Sequence, residues 1–224
     1  MTDLADVAGA LADRTRARML EELLGGPPLP AGALAVRVGV APSTVSAHLR
    51  TLEQAGLIAV ASNGRRREAQ LAGPHVAEAL EALANIAGDQ TRPVGLKAVN
   101  RRHALREARS CYDHLAGRAG VALADQLLEH EALQLSSGAF AVPADAAGYY
   151  RERFGFDPMH LHTRRPLVRA CNDWTERRPH VGGALGKALL DALIADGTLR
   201  RRPDGRALNV TRDVLSAGRR SASA

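Results

Sequence analysis

Residues 42–71 constrain this chain more than any other stretch. PSTVSAHLRTLEQAG opens on Pro42 and runs to Gly56. Proline suits the first position of a helix, where its missing N–H costs nothing. Val45, Leu49 and Leu52 recur at three- and four-residue spacing and make one apolar face. The opposite face carries Ser43, Thr44, Ser46, Ala47 and Arg50, residues too small or too polar to obstruct close approach to a ligand surface. LIAVAS and RRREAQL then flank Asn63-Gly64. Asn-Gly between two strand-like runs is the strongest short-range hairpin signal.

The residues before this stretch complete a pattern. Leu4, Val7, Ala8 and Leu11 mark one face of a short helix, and DRTRARMLEELLGG a second, with Leu20, Leu23 and Leu24 inward and Gly25-Gly26 as its stop. Pro27, Pro28 and Pro30 predict a loop. AGALAVRVG then predicts a helix of two to three turns closing at Gly39. Four helices followed by a hairpin tipped with NGRRR is the layout of a winged helix-turn-helix. In that layout the last helix enters a major groove and the hairpin arm reaches phosphate or minor groove.

GPHVAEALEALANIAG adds another amphipathic helix through Val76, Leu80, Leu83 and Ala87, and GDQTRPVG is the linker candidate. The expected domains are 1–92 and 93–224. A long helical stretch is expected through LKAVNRRHALREARSCYDHLAG. The second half repeats loosely: Cys111-Tyr-Asp113 and Cys171-Asn-Asp173 each precede a Gly-containing, leucine-rich helix (GVALADQLLEHEAL, then GGALGKALLDALIADGTL). Each block then runs into a short strand ending Val-x-x-Asp, at Val142–Asp145 and Val210–Asp213. The predicted unit is helix, helix and strand, with the two copies face to face. The fold class expected is therefore mainly α with small β-hairpins, a winged helix-turn-helix followed by an α-rich C-terminal domain with a weak internal repeat.

Composition narrows the function classes. A chain of 224 residues is long enough for two domains. No apolar run approaches the ~20 residues of a membrane span. MTDLADVAGA has early acids and no basic start, so it is not read as an export signal, and the expected location is cytoplasmic. Two cysteines cannot build a disulfide framework. The net charge of +6 invites an acidic partner, although arginine and alanine enrichment together also follow from a GC-rich genome, so the placement of the charges has to decide. All seven aromatics (Tyr112, Phe140, Tyr149, Tyr150, Phe154, Phe156 and Trp174) lie after residue 111, so the first half packs an aliphatic core. The aromatics are read as the second domain's core, with a small-molecule pocket between the repeats as the functional alternative.

At PSTVSAHLRTLEQAGLI, with ALADRTRARMLEELL before it and the basic hairpin ending in Leu71 after it, the chain resembles the ArsR family of bacterial winged-helix repressors over about residues 4 to 87. ARSCYDHLAG and CNDWTERRPH are similar to a longer subgroup with an added C-terminal domain. The resemblance implies a homodimer, built through the first helix and the GPHVAEALEALA helix, that reads an inverted repeat in double-stranded DNA and represses transcription. It places Ser43, Thr44, Ser46 and Ala47 near bases, where the Ala47 methyl can meet a thymine methyl. Arg50 and the wing residues Asn63, Arg65, Arg66 and Arg67 fall to phosphate and register. Ala41 stands at the cap position where relatives carry serine. The helix LPAGALAVRVG lacks the family's cysteine pair, and His75 and Glu78 lack the distal partners of its dimer-helix metal site.

Beyond the family's own sites, Cys111, Asp113, His114, Cys171 and Asp173 form a candidate metal or redox group. On a helix, residues 111 and 114 would share a face, and thiolate with imidazole suits a metal. His160, His162 and His180 add candidates. The same cysteines could oxidise as a thiol switch, with Arg109 and Arg169 two residues upstream of each. Free cysteine also commonly just packs. No cofactor is certain; a metal ion and a small-molecule effector are the candidates. Arg16 pairs either with flanking phosphate or, structurally, with Asp13 or a neighbouring helix. Arg200–Arg202 before PDGR are read as a solvated hairpin rather than a second wing. G-x-S-x-G, P-loop, H-E-x-x-H and G-x-G-x-x-G are absent, so no enzyme is expected. The alternative is a thiol- or metal-dependent enzyme, or a protein-interaction module, carrying a winged helix.

Overall fold

The structure, a computed structural model, describes residues 2–25, 27–63, 66–87, 96–161, 164–203 and 205–216. It divides into two compact units, Met1–Leu80 and Glu81–Ala224. The division falls inside a helix, ahead of the expected boundary at 92, and the linker candidate GDQTRPVG lies outside the described residues.

In the first unit, helix α1 (Leu4–Leu11) starts at a capping box between Asp3 and Asp6. Helix α2 (Arg14–Leu23) is capped by Asp13, whose carboxylate accepts the Arg16 N–H at 2.8 Å. The Arg16 guanidinium turns back to donate to the carbonyls of Ala10 (2.5 Å) and Gly9 (2.8 Å). It satisfies orphan carbonyls at the end of α1, so its role here is structural.

The triple-proline stretch is not only a loop. Leu29–Pro30 forms a short edge strand, β1, ahead of helix α3 (Ala31–Val38), which ends at Gly39 with a left-handed φ of 75°. Proline is tolerated on a sheet edge because no ladder donor is required of it there. Helix α4 (Pro42–Gln54) follows, then strands β2 (Ile58–Asn63) and β3 (Arg66–Leu71) and helix α5 (Pro74–Ala87). The sheet order is β1-β3-β2, with Leu29 opposite Ala69 and Ile58 opposite Leu71. Met19, Leu20, Leu34, Val45 and Leu52, none of them measurably exposed, form an aliphatic core under this sheet.

In the second unit, helix α6 (Leu96–Glu107) stops well short of the helical stretch expected there. Strand β4 (Arg109–Cys111) and strand β5 (His114–Ala116) follow as a tight hairpin, then helix α7 (Arg118–Glu129) and a second hairpin, β6 (Gln134–Ser136) with β7 (Ala139–Ala141). Helix α8 (Ala147–Phe154) separates these from strands β8 (Arg169–Asn172) and β9 (Pro179–Gly182), helix α9 (Gly183–Ala195), and strands β10 (Leu199–Arg201) and β11 (Leu208–Val210). The internal repeat is therefore hairpin, helix, hairpin, not helix, helix and strand. Arg200 and Arg201 lie on the last of these hairpins and are exposed.

Each repeat's helix packs against the other repeat's first hairpin, α9 on β5 and α7 on β9. The matching glycines permit this. Gly117 and Gly183, both with φ of 80°, precede or open the helices. At Gly120 and Gly186 an added Cβ would lie 2.6 Å from the Leu115 carbonyl oxygen and 2.2 Å from that of Val181. Leu115, Leu127, Tyr150, Leu185, Leu189 and Leu199 belong to the shared core. Tyr150 donates from its buried hydroxyl to the Ala132 carbonyl at 2.9 Å; Phe140, Tyr149, Tyr150, Phe154 and Phe156 belong to or pack on that core, whereas Tyr112 and Trp174, also expected there, lie outside it.

Candidate nucleic-acid interface and candidate metal centre

Helix α4 presents Ser43, Thr44, Ser46, Ala47 and Arg50 to solvent, while Val45 and Leu52 are buried and Leu49 half-buried beneath them. Ala41 makes no side-chain cap, so Pro42 alone shapes the start of the helix. The Ser46 hydroxyl donates to the Pro42 carbonyl at 2.9 Å. In this rotamer it meets a ligand as an acceptor. Asn63 pairs with Arg66 across the wing and Ser62 with Arg67. Gly64 and Arg65, between them, lie outside the described residues, as do the side chains of Asn63 and Arg66. Arg67 is exposed.

The cysteine group assembles differently from its sequence reading. Cys111 and His114 are not on one helix face: they are directly opposed on the β4–β5 hairpin. Cys171 and His180 are opposed in the same way on β8–β9. The four ligand-capable atoms of Cys111, His114, Cys171 and His180 all lie within 4.8 Å of one another. The two sulfurs are 3.8 Å apart as free thiols. The imidazoles of His114 and His180 stack at 5.1 Å between centroids.

Asp113 and Asp173 stand one layer out. Asp113 approaches His114 Nδ1 at 3.4 Å and is held by the Arg165 guanidinium. Burial raises its pKa, but His114 and Arg165 outweigh this and bring it down to about 2. Asp173, fully buried, accepts from Arg109 Nη2 at 3.0 Å, Gly117 N at 2.6 Å, and both the backbone N–H and the hydroxyl of Thr175 at 2.9 and 2.6 Å. These donors hold its carboxyl below the usual range against the opposing effect of burial. Its Oδ2 lies 3.7 Å from His180 Nδ1. Arg109 is committed to Asp173 and stacks over Trp174 at 4.8 Å from the ring centroid, so it serves the outer layer rather than a sulfur.

Within the thiol pair, the hydrogen bond between the sulfurs, with burial added, pushes the Cys111 thiol well up. The same bond draws Cys171 down, helped by His114 and His180 against burial. Burial pushes His114 down, yet Asp113 and the Cys171 sulfur leave it raised on balance.

His180 completes the cluster and was only a peripheral candidate in sequence. The signal that finds it is His114-x-x-Gly117-x-x-Gly120, repeated at identical spacing in His180-x-x-Gly183-x-x-Gly186. His160 is instead exposed and pairs with Asp157 at 3.1 Å, and His162 lies outside the described residues.

A helix-turn-helix domain family matches residues 11–61, which cover α2 through the start of the wing. Beyond it, an uncharacterized HTH-type transcriptional regulator of Bacillus subtilis (strain 168), YdfF, is 35% identical over 209 residues, 93% of this chain and 92% of that protein. The HTH-type transcriptional regulator CmtR of Mycobacterium tuberculosis (strain ATCC 25618 / H37Rv) is 42% identical over 83 residues, 37% of this chain and 70% of CmtR. Among solved structures, the homodimeric winged helix-turn-helix DNA-binding domain of Mb0332 from Mycobacterium bovis, a possible ArsR-family regulator, is 29% identical. That alignment covers 40% of this chain and 82% of the other at a TM-score of 0.37. At 93% of this chain, the likeness to YdfF extends well beyond the helix-turn-helix match. The chain belongs to the ArsR family of winged helix-turn-helix DNA-binding transcriptional regulators.

Proposed function

We propose that this regulator is a homodimeric repressor that binds an inverted-repeat operator and is controlled through its second unit. The observation that carries the reading is the solvent face of α4, where Ser43, Thr44, Ser46, Ala47 and Arg50 are all exposed beside a basic wing. Two such helices, related by a dimer axis, enter successive major grooves about 34–36 Å apart. Ser43, Thr44, Ser46 and Ala47 read base edges; Arg50, Asn63, Arg65, Arg66 and Arg67 hold phosphate and set register. The dimer is supported by apolar residues left on the two helices assigned to it: Leu4 on α1 is 84% exposed and Ile86 on α5 is 83% exposed. An effector acts by favouring a dimer geometry that misplaces the α4 helices, because only differential affinity shifts such an equilibrium.

Fluorescence anisotropy on duplexes tiled across the chain's own upstream region, at two salt concentrations and against a random duplex, tests this reading. Expected is nanomolar, sequence-selective binding that weakens steeply with salt. With the selected duplex in hand, Ser43→Ala and Ser46→Ala should reduce discrimination against random DNA. Equal losses on both duplexes would move these serines to the backbone. Binding without selectivity on every duplex, including those from a genome-wide selection, would overturn the operator reading.

A further inference from the structure

We infer that Cys111, His114, Cys171 and His180 form a closed, four-ligand site for a divalent zinc-class cation that clamps the two repeats of the second unit together. The inference narrows the control assigned above to that unit. The site itself does not depend on the operator reading.

Two sulfurs and two imidazole nitrogens are the ligands of tetrahedral Zn²⁺ sites. A tetrahedron with metal–sulfur bonds of about 2.3 Å has a sulfur–sulfur edge of about 3.8 Å. The Cys111–Cys171 separation is 3.8 Å. A disulfide would instead need about 2.05 Å. Edges involving nitrogen run about 3.3–3.6 Å in such a site, so a group already within 4.8 Å closes by small side-chain rotations.

Hydrogen bonding gives a second, independent indication. Among the described residues, His114 Nε2 and both ring nitrogens of His180 are buried without a hydrogen-bond partner. Buried polar atoms are normally paired, and each orphan calls for an explanation. A bound cation supplies one, taking a nitrogen from each ring. Gly182 lies against the His114 ring: an added Cβ there would stand 3.4 Å from His114 Nε2.

The outer layer supplies the carboxylates that metal-bound histidines use, one in hydrogen-bond contact with its ring and one just beyond it. Each imidazole has a carboxylate beside its Nδ1, Asp113 at 3.4 Å from His114 and Asp173 at 3.7 Å from His180. Each carboxylate is in turn anchored by an arginine, Arg165 and Arg109. Carboxylate–histidine pairs of this kind fix the tautomer and ring orientation of metal ligands. Charge balance also suits burial: two thiolates and two neutral imidazoles around a dication leave no net charge at the centre. Each thiol releases its proton to solvent when the cation binds. With four protein ligands no position is left for water or substrate, so the site is a clamp rather than a catalytic centre.

The 224-residue chain, reduced and stripped with chelator, is titrated with Co²⁺ and, separately, with Zn²⁺, with no DNA present. Expected are one metal per chain, tetrahedral d–d absorption with thiolate-to-cobalt charge transfer, and displacement of Co²⁺ by Zn²⁺. Cys171→Ser should lose most of the charge-transfer intensity, and Asp113→Asn should weaken binding by 10–100-fold. His160→Asn, an exposed histidine outside the four-residue group, should change neither. If Cys171→Ser fails to fold, the wild-type titration still decides. A reduced chain that takes up neither metal, or gives an octahedral spectrum without sulfur charge transfer, would overturn the site and leave a packed thiol pair. Because no step involves DNA, that failure is distinct from failure of the operator reading.

Discussion

Arg109 Nη2 lies 3.0 Å from Asp173 Oδ2, and neither side chain has any solvent exposure. Arg109 is two residues before one cysteine of the cluster and Asp173 two residues after the other, so this ion pair ties the two hairpins beside the site. Breaking a buried pair from one side leaves an uncompensated charge, which typically costs about 3–5 kcal/mol. Arg109→Leu should therefore destabilise the second unit by an amount of that order. Trp174, the only tryptophan, sits against Arg109 and reports the unfolding of this unit in denaturant. A change below about 1 kcal/mol would mean that Asp173 is held by Gly117 and Thr175 without help from the arginine.

The close approach of α9 to β9 leads to a second expectation. A methyl group at Gly186 would stand 2.2 Å from the Val181 carbonyl oxygen and 3.0 Å from His114 Cβ. Neither neighbour is the free end of a flexible chain. Gly186→Ala should cost at least about 1–3 kcal/mol, as overpacking does, and should weaken cobalt binding by displacing β5. Gly148→Ala, where no described atom lies within 4 Å of the added Cβ, is the control and should lower neither stability nor cobalt affinity.

The winged unit has its own acid-sensitive contact. Asp13 caps α2, and its pKa is lowered chiefly by the Arg16 backbone N–H, with His48 adding a smaller pull against burial. A depressed folded-state pKa contributes stability that is fully present above the unfolded value of about 3.9 and disappears as pH falls through the lower folded value. Carboxyl-carbon NMR should find Asp13 titrating below the model-peptide value. Asp13→Asn should keep the cap and remove this pH dependence, whereas Asp13→Ala should lose both. An unshifted titration would mean that the cap does not persist in solution.

Wing charge is tested through salt. Arg65→Ala combined with Arg66→Ala should weaken binding to operator and random duplexes alike. It should also reduce the slope of log affinity against log salt by roughly two phosphate contacts per protomer. A slope equal to that of the wild type would remove the wing from the DNA.

The first unit was legible because its signals are local. Pro42 at a helix start, the three- and four-residue spacing of Val45, Leu49 and Leu52, and Asn63-Gly64 each act within a few residues, and all three elements lie where the spacing predicts. The edge strand at Leu29–Pro30 was missed because its partner, Ala69, is remote in sequence and a triple-proline run carries no strand periodicity.

In the second unit the repeat was visible, but its form was not. The Cys111–His114 hairpin turns in two residues, whereas Cys171 and His180 are separated by a longer excursion through Trp174. The unequal loops offset the two copies and hid the common His-x-x-Gly-x-x-Gly frame. Reading residues 111–114 as helix followed from the strongly helical segment before them. Tertiary pairing overrode that segment: Ser110 donates to the Arg206 carbonyl at 2.9 Å and Leu208 to that of Ala108 at 2.9 Å, so β4 is drawn into the last hairpin.

By itself, then, the sequence determined a winged helix-turn-helix with a small, polar recognition face and a basic arm, since periodicity, capping and turn chemistry are properties of neighbouring residues. Which residues share the buried centre was decided by tertiary structure alone. Cys111 and Cys171 are 60 positions apart, and their meeting with His114 and His180 depends on strand register. A slip of one residue would turn a ligand to the opposite face of its hairpin, and no local rule sets that choice.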